Sequence, residues 1–174
     1  APITDAPAPA APPSPSPVDP FEVEAARKQA LRSCRRAAAK RATKIARLRG
    51  GKLCLRRYAR TPGRVMRVTA RATSATALVL GFSAPGSDGR TAPAARRYLI
   101  KQSLRPIRTP TEFRRAHSLC RGSCAFPVTE VGTKISLAVT QLRRHSSYYY
   151  AVAARDNVSN RLGPRSFSAT GRTR

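Results

Sequence analysis

Residues 142–156 read Leu-Arg-Arg-His-Ser-Ser-Tyr-Tyr-Tyr-Ala-Val-Ala-Ala-Arg-Asp. Successive side chains on an extended chain point to opposite faces, so Tyr148, Tyr150, Val152 and Ala154 share one face of a strand over residues 148–155. That alternation puts Tyr148 and Tyr150 in a core and leaves only Tyr149 outside. The three consecutive tyrosines are therefore structural, not a stacking platform for sugars or bases. Working outward, the same period-two reading predicts strands over residues 64–70, 76–83, 95–103 and 134–140, with a last one over 164–173. Leu78, Leu80 and Phe82 share a face, as do Tyr98 and Ile100, and Ile135, Leu137 and Val139 turn inward. Turn-forming stretches such as Ala84-Pro85-Gly86-Ser87-Asp88-Gly89 separate the strands. One interruption is helical, residues 111–116 after Pro110. Several short alternating strands between turns predict a mainly β chain, folded as a sandwich.

These residues resemble a fibronectin type III domain over residues 62–174. Leu142, a short turn, Tyr148 and the alternating run to Ala154 are similar to that family's late-strand signature. The resemblance makes Tyr148 the corner tyrosine, whose hydroxyl ties back to backbone just upstream. Residues 156–166 resemble the loop and serine leading into the final strand, and Tyr98-Leu99-Ile100 fits the third strand. Two departures stand out. Phe82 falls where the family usually has tryptophan, and the segment between Ser103 and Lys134, with its cysteine pair, is longer than the usual pattern. The versions it resembles are found in secreted bacterial proteins as accessory or spacer modules. The resemblance therefore implies a binding or spacing module without chemistry of its own.

The N-terminal third reads differently. Residues 1–18 hold seven of the 15 prolines and are expected to be a disordered Pro/Ala-rich spacer, since such a segment cannot bury enough apolar surface to fold. Residues 19–61 are expected to form a basic helical segment. Asp19 suits the N-cap, Pro20 the first helical position, and Glu22 and Glu24 the positive end of the helix dipole. Leu31, Cys34, Ala38, Ala42, Ile45 and Leu48 form one narrow apolar stripe, and Gly50-Gly51 is expected to end the helix. The preferred reading packs this stripe against the domain that follows, because the bulky anchors of an interfacial helix are missing.

The chain carries 34 basic and 8 acidic residues, a net charge of +26. Residues 1–24 hold four acids and no base, and residues 25–60 hold fourteen bases and no acid. The remaining excess is spread over the sandwich. Arg32, Arg35, Arg36, Lys40, Arg41, Lys44, Arg47 and Arg49 are thus the candidate polyanion-binding residues. No stretch is long and apolar enough to span a bilayer as a helix.

Four cysteines permit three pairings. Cys120 and Cys124 are close enough for a local bridge across Gly122. For Cys34 and Cys54 geometry objects: in a helix unbroken to Arg49, Cys34 lies about 22 Å behind that end, and the five steps to Cys54 return at most about 18 Å. A bridge between them is expected together with an early break in the helix, as an even cysteine count suits an oxidising compartment. His117, Cys120 and Cys124 do not match a known zinc spacing, so no metal is expected. Asn157-Val158-Ser159 fits the glycosylation acceptor pattern.

Catalysis is not expected. Only His117 and His145 are available as neutral-pH bases, and no phosphate loop, nucleophile elbow or carboxylate pair is visible. No catalytic residue and no cofactor is assigned. The leading expectation is a non-enzymatic extracellular or cell-surface protein for adhesion, binding or structural assembly. No signal peptide is visible; an Ala1 start is what removal of an export signal would leave, and simple trimming of the chain explains it equally well. Expected partners are an anionic cell-wall polymer, a membrane surface, another protein or a further copy of the chain. The alternatives are a nucleic-acid-binding protein using residues 25–60, and an accessory region of a larger exported enzyme.

Overall fold

The computed structural model describes residues 19–174, so the expected spacer over residues 1–18 lies outside the described residues. Two helices come first, α1 (Pro20–Ala39) and α2 (Lys44–Tyr58), followed by strands β1 (Met66–Ala72), β2 (Leu78–Ser83) and β3 (Arg97–Ser103). Then come α3 (Pro110–Arg115), β4 (His117–Ser118), a 3-10 turn at Cys120–Gly122, and β5 (Cys124–Ala125). The strands β6 (Lys134–Val139), β7 (Ser147–Arg155) and β8 (Ala169–Arg172) complete the chain. All strand pairs are antiparallel. One sheet has the order β1-β2-β6; the other has the order β4-β3-β7-β8, with β5 also on β3. The result is the two-sheet sandwich that the alternation predicts.

The inward faces supply the core. Leu78, Leu80 and Phe82 of β2 and Ile135 and Val139 of β6 meet Tyr98 and Ile100 of β3 and Tyr148, Tyr150, Val152 and Ala154 of β7. Leu137, expected inward, is only partly buried. Tyr148 makes the corner contact that the resemblance implies: its hydroxyl accepts from the Arg143 amide at 2.8 Å. Leu142 is buried beside it. Where the family usually carries tryptophan, Phe82 stands edge-on to Tyr98 and Phe126, with ring centroids 5.0 Å and 6.0 Å away. Phe126 comes from the long segment after β3, so the insertion fills volume that the smaller Phe82 leaves.

The same insertion covers the outer face of the second sheet. Ile107 and Phe113 pack on Ala151 and Ala153 of β7, whose small side chains leave room for them. Strict alternation misses this, because it treats the outer face of β7 as solvated. Helix α3 follows from its sequence: Thr109 and Glu112 form a capping box. The Thr109 and Arg108 amides that Glu112 accepts hold its carboxyl below the ordinary glutamate range. Lys101 is buried at the other end of α3, where its ammonium donates to the Ala116 carbonyl at 2.8 Å, to Ser118 Oγ at 2.8 Å and to the Arg114 carbonyl at 3.3 Å. A cation there satisfies free carbonyls at the negative end of the helix.

The N-terminal segment departs from the sequence reading. The single helix ending at Gly50-Gly51 is instead two antiparallel helices, broken at Lys40–Thr43. Both glycines lie inside α2. Only part of the expected stripe is buried: Leu31 and Ala38 are enclosed, whereas Ala42, Ile45 and Leu48 are exposed. The stripe reading assumes one continuous helix; the break at Lys40 changes which face of the second half turns inward. No helix of the described residues is long and apolar enough to cross a membrane.

Candidate polyanion-binding hairpin

Each helix of the hairpin is capped by its own sequence. Asp19 accepts from the Phe21 amide at 2.8 Å, ahead of Pro20 at the first helical position. Thr43 accepts from the Ala46 amide at 3.1 Å and restarts the chain as α2. The helices then approach closely at Gly50, where a Cβ would lie 2.8 Å from that of Ala38. Cys34 and Cys54 are bridged, with Cα atoms 5.7 Å apart. The early break demanded by helix geometry is thus present at Lys40. Each glycine costs an isolated helix about 1 kcal/mol relative to alanine; Gly50 is retained because only a missing side chain permits this crossing. A disulfide closing a loop of this length stabilises by about 3 kcal/mol.

The hairpin docks on one end of the sandwich through a polar latch. Asp156, at the end of β7, is fully buried and accepts from Arg27 at 2.9 Å, the Ser159 amide at 3.1 Å and the Arg60 amide at 3.3 Å. Ser87 Oγ also donates to it at 3.4 Å. Glu24, placed by sequence reading at the helix dipole, is instead turned into the interface. It accepts from Arg96 and from Asn157 Nδ2. The Asn157 amide is fully engaged, accepting from the Arg96 amide at 2.9 Å and donating to Glu24 and to the Ala94 carbonyl. The side-chain nitrogen of the Asn157-Val158-Ser159 triplet is thus committed to the latch. Among the described residues, the sandwich side contributes Val158 to the apolar cluster of the hairpin. None of Glu24, Ser87, Asp156 and Asn157 is assigned this role from sequence; the scarcity of acids is the only signal that could have marked them.

Away from the latch the hairpin is cationic throughout. All eight candidates, Arg32, Arg35, Arg36, Lys40, Arg41, Lys44, Arg47 and Arg49, are exposed. Lys28, Arg32, Arg35 and Arg36, spaced i, i+4, i+7 and i+8, share one face of α1. Lys40, Arg41 and Lys44 sit at the tip. Lys52, Arg56 and Arg57 of α2 are exposed as well, though sequence reading leaves them out. Of the fourteen bases in residues 25–60, Arg27 is paired with Asp156, and the other thirteen have no acidic partner among the described residues.

The other candidates come out as structural. Cys120 and Cys124 are bridged, with Cα atoms 5.1 Å apart, and His117 pairs through its backbone with Gln102 on a sheet edge. No group of three or more His, Cys, Asp or Glu that could hold a metal occurs among the described residues. A shallow groove on the second sheet carries Arg64, Arg108, Arg165, Tyr149 and Phe167. Its cations are partly committed: Arg165 donates to the Ile107, Arg108 and Ser166 carbonyls, and the Arg64 guanidinium lies 5.0 Å from the Phe167 ring centroid. The hairpin is therefore the larger free cationic surface.

No family model and no curated protein matches the chain. Among solved structures it is similar to an Fn3-like protein from Clostridium thermocellum, at 18% identity over 65% of this chain and 92% of that one, with a TM-score of 0.36. The sensor domain of the anti-sigma factor RsgI4 in Pseudobacteroides cellulosolvens matches at 12% identity over 65% of this chain and 90% of that one, with a TM-score of 0.35. The sixth fibronectin type III domain of a human fibronectin type III domain containing protein matches at 16% identity, covering 63% of this chain and 82% of that one, with a TM-score of 0.38. The reading of the fold rests on the chain's own strand order and core.

Proposed function

We propose that the chain is a non-enzymatic binding module acting outside the cell or at its surface. The hairpin is its grip on an anionic wall polymer or lipid surface, and the sandwich is the rigid body that carries the hairpin in adhesion or assembly. The observation that carries this is the set of thirteen cations within residues 25–60, ten of them on the two helices, with no acidic partner among the described residues. Like charges one turn apart destabilise a helix, and here the disulfide and the buried latch hold the element together against that repulsion. A surface that repels itself and has no internal counter-charge is complementary to a polyanion. Two bridged cysteine pairs favour an oxidising location.

The test compares two variants of equal charge on immobilised heparin and on duplex DNA at rising salt. One replaces Arg32, Arg35, Arg36, Lys40, Arg41 and Lys44 by glutamine; the other replaces Arg90, Arg105, Arg121, Arg143, Arg144 and Arg174, all exposed on the sandwich. The hairpin variant is expected to leave heparin at clearly lower salt than the sandwich variant. Equal losses would make the binding a property of diffuse charge and sink the hairpin as the grip. A DNA sequence preference that survives physiological salt would replace the polymer reading by nucleic-acid recognition.

A further inference from the structure

Helix α2 turns three of its four large aliphatic side chains away from the protein and keeps only Leu55 against the hairpin core. Ile45, Leu48 and Leu53 are 64%, 60% and 58% exposed, while Gly50 and Cys54 face α1. At about 100° per residue the three aliphatics span an arc of about 140°. Arg49, Lys52 and Arg56 project within that same arc, and all three are exposed. Scattered exposed aliphatics are ordinary on a protein surface. Three on one outer face of a 15-residue helix, interleaved with cations in a stretch holding no acid, form an amphipathic surface with two requirements. A soluble polyanion meets only one of them, since it pairs with the cations and leaves the aliphatics in water. The boundary of a lipid bilayer meets both, with phosphates for the cations and an acyl edge for the aliphatics.

We propose that the outer face of α2 docks on the surface of an anionic phospholipid bilayer. Ile45, Leu48 and Leu53 enter the acyl boundary, and Arg49, Lys52 and Arg56 lie at the level of the phosphates. The proposal rests on the hairpin being the polyanion grip and names the lipid surface as its anion. The position in the fold suits it. The latch holds the hairpin at Glu24 and Arg27, about 20 Å along α1 from Lys40 at the tip, and α2 meets α1 through its opposite face. Long arginine and lysine stems can lie along the interface while their heads stay among the phosphates.

The chain has no tryptophan, so Leu48→Trp in the full chain is a lone fluorescent reporter at an exposed site. Its emission is expected to shift to the blue on vesicles of equimolar phosphatidylglycerol and phosphatidylcholine, and to stay at its aqueous position with heparin. The variant Ile45→Ser/Leu48→Ser/Leu53→Ser should lose at least tenfold in co-sedimentation with those vesicles while leaving heparin at the wild-type salt concentration. Failure of the wild type to sediment with them, unshifted emission on vesicles that do carry the protein, or undiminished sedimentation of the serine variant would each overturn the proposal. If heparin retention persists in those cases, the lipid assignment alone fails; if the wild type also fails to bind heparin, the hairpin is not a polyanion grip.

Discussion

Tyr148 and Tyr150 stand two residues apart on β7 and use their hydroxyls in opposite ways. The Tyr148 hydroxyl accepts from the Arg143 amide, so Tyr148→Phe leaves a backbone donor without its partner and should cost about 1 kcal/mol. The Tyr150 hydroxyl is buried and has no hydrogen-bond partner among the described residues. Burial, with the neighbouring Tyr148 second, pushes its phenol well above the ordinary tyrosine range. Tyr150→Phe removes only a desolvated polar atom and should leave stability within about 0.5 kcal/mol of the wild type or raise it. Chemical denaturation of the two variants checks both values, and equal losses would contradict the corner assignment. The alternation legible in residues 148–154 places both rings, but it says nothing of what each hydroxyl meets.

At the scale of the element, Gly50 and Gly51 are neighbours in α2 with opposite surroundings. A Cβ at Gly50 meets that of Ala38 at 2.8 Å, whereas one at Gly51 meets nothing within 4 Å. Alanine has no flexible end that could swing aside, so Gly50→Ala must push the helices apart. It is expected to cost about 1–3 kcal/mol despite the better helix propensity. Gly51→Ala should instead stabilise the hairpin by about 0.4–1 kcal/mol. Thermal melting followed by helical circular dichroism reads both shifts, and a stabilising Gly50→Ala would show that the crossing is looser than described. In sequence this pair reads as a helix terminator, the usual role of glycine after an amphipathic run. The helix passes through it because the Cys34–Cys54 bridge and the close crossing outweigh intrinsic propensity.

On the scale of the whole molecule, the hairpin and sandwich are joined mainly through charge. Removing one partner of a buried ion pair leaves the other uncompensated and typically costs 3–5 kcal/mol, much more than the net worth of the pair. Asp156→Asn and Arg27→Met, each leaving one member of the latch unpaired, should therefore both lower the unfolding free energy from chemical denaturation by about 3 kcal/mol or more. Limited proteolysis should find the hairpin cleaved before the sandwich in both variants. Asp156 also accepts from the Val158 and Ser159 amides of its own loop, so Arg27→Met isolates the inter-element contact. Wild-type protection of the hairpin in Arg27→Met would show that the latch does not hold it.

By itself the sequence determined what depends on local periodicity and composition. The strand alternation, the helix cap at Asp19 and the acid-free cationic block of residues 25–60 all depend on neighbours a few positions away, and the family resemblance supplied the corner tyrosine. The tertiary structure alone decided where the long segment after β3 folds, which acids form the latch, and which way α2 faces. Phe113 meets Ala151, and Glu24 meets Asn157, only after chain closure over many residues. The facing of α2 depends on the break at Lys40 and on a disulfide partner twenty residues away. With that rotation, aliphatic side chains that a continuous helix would bury become an outward surface among arginines and lysines.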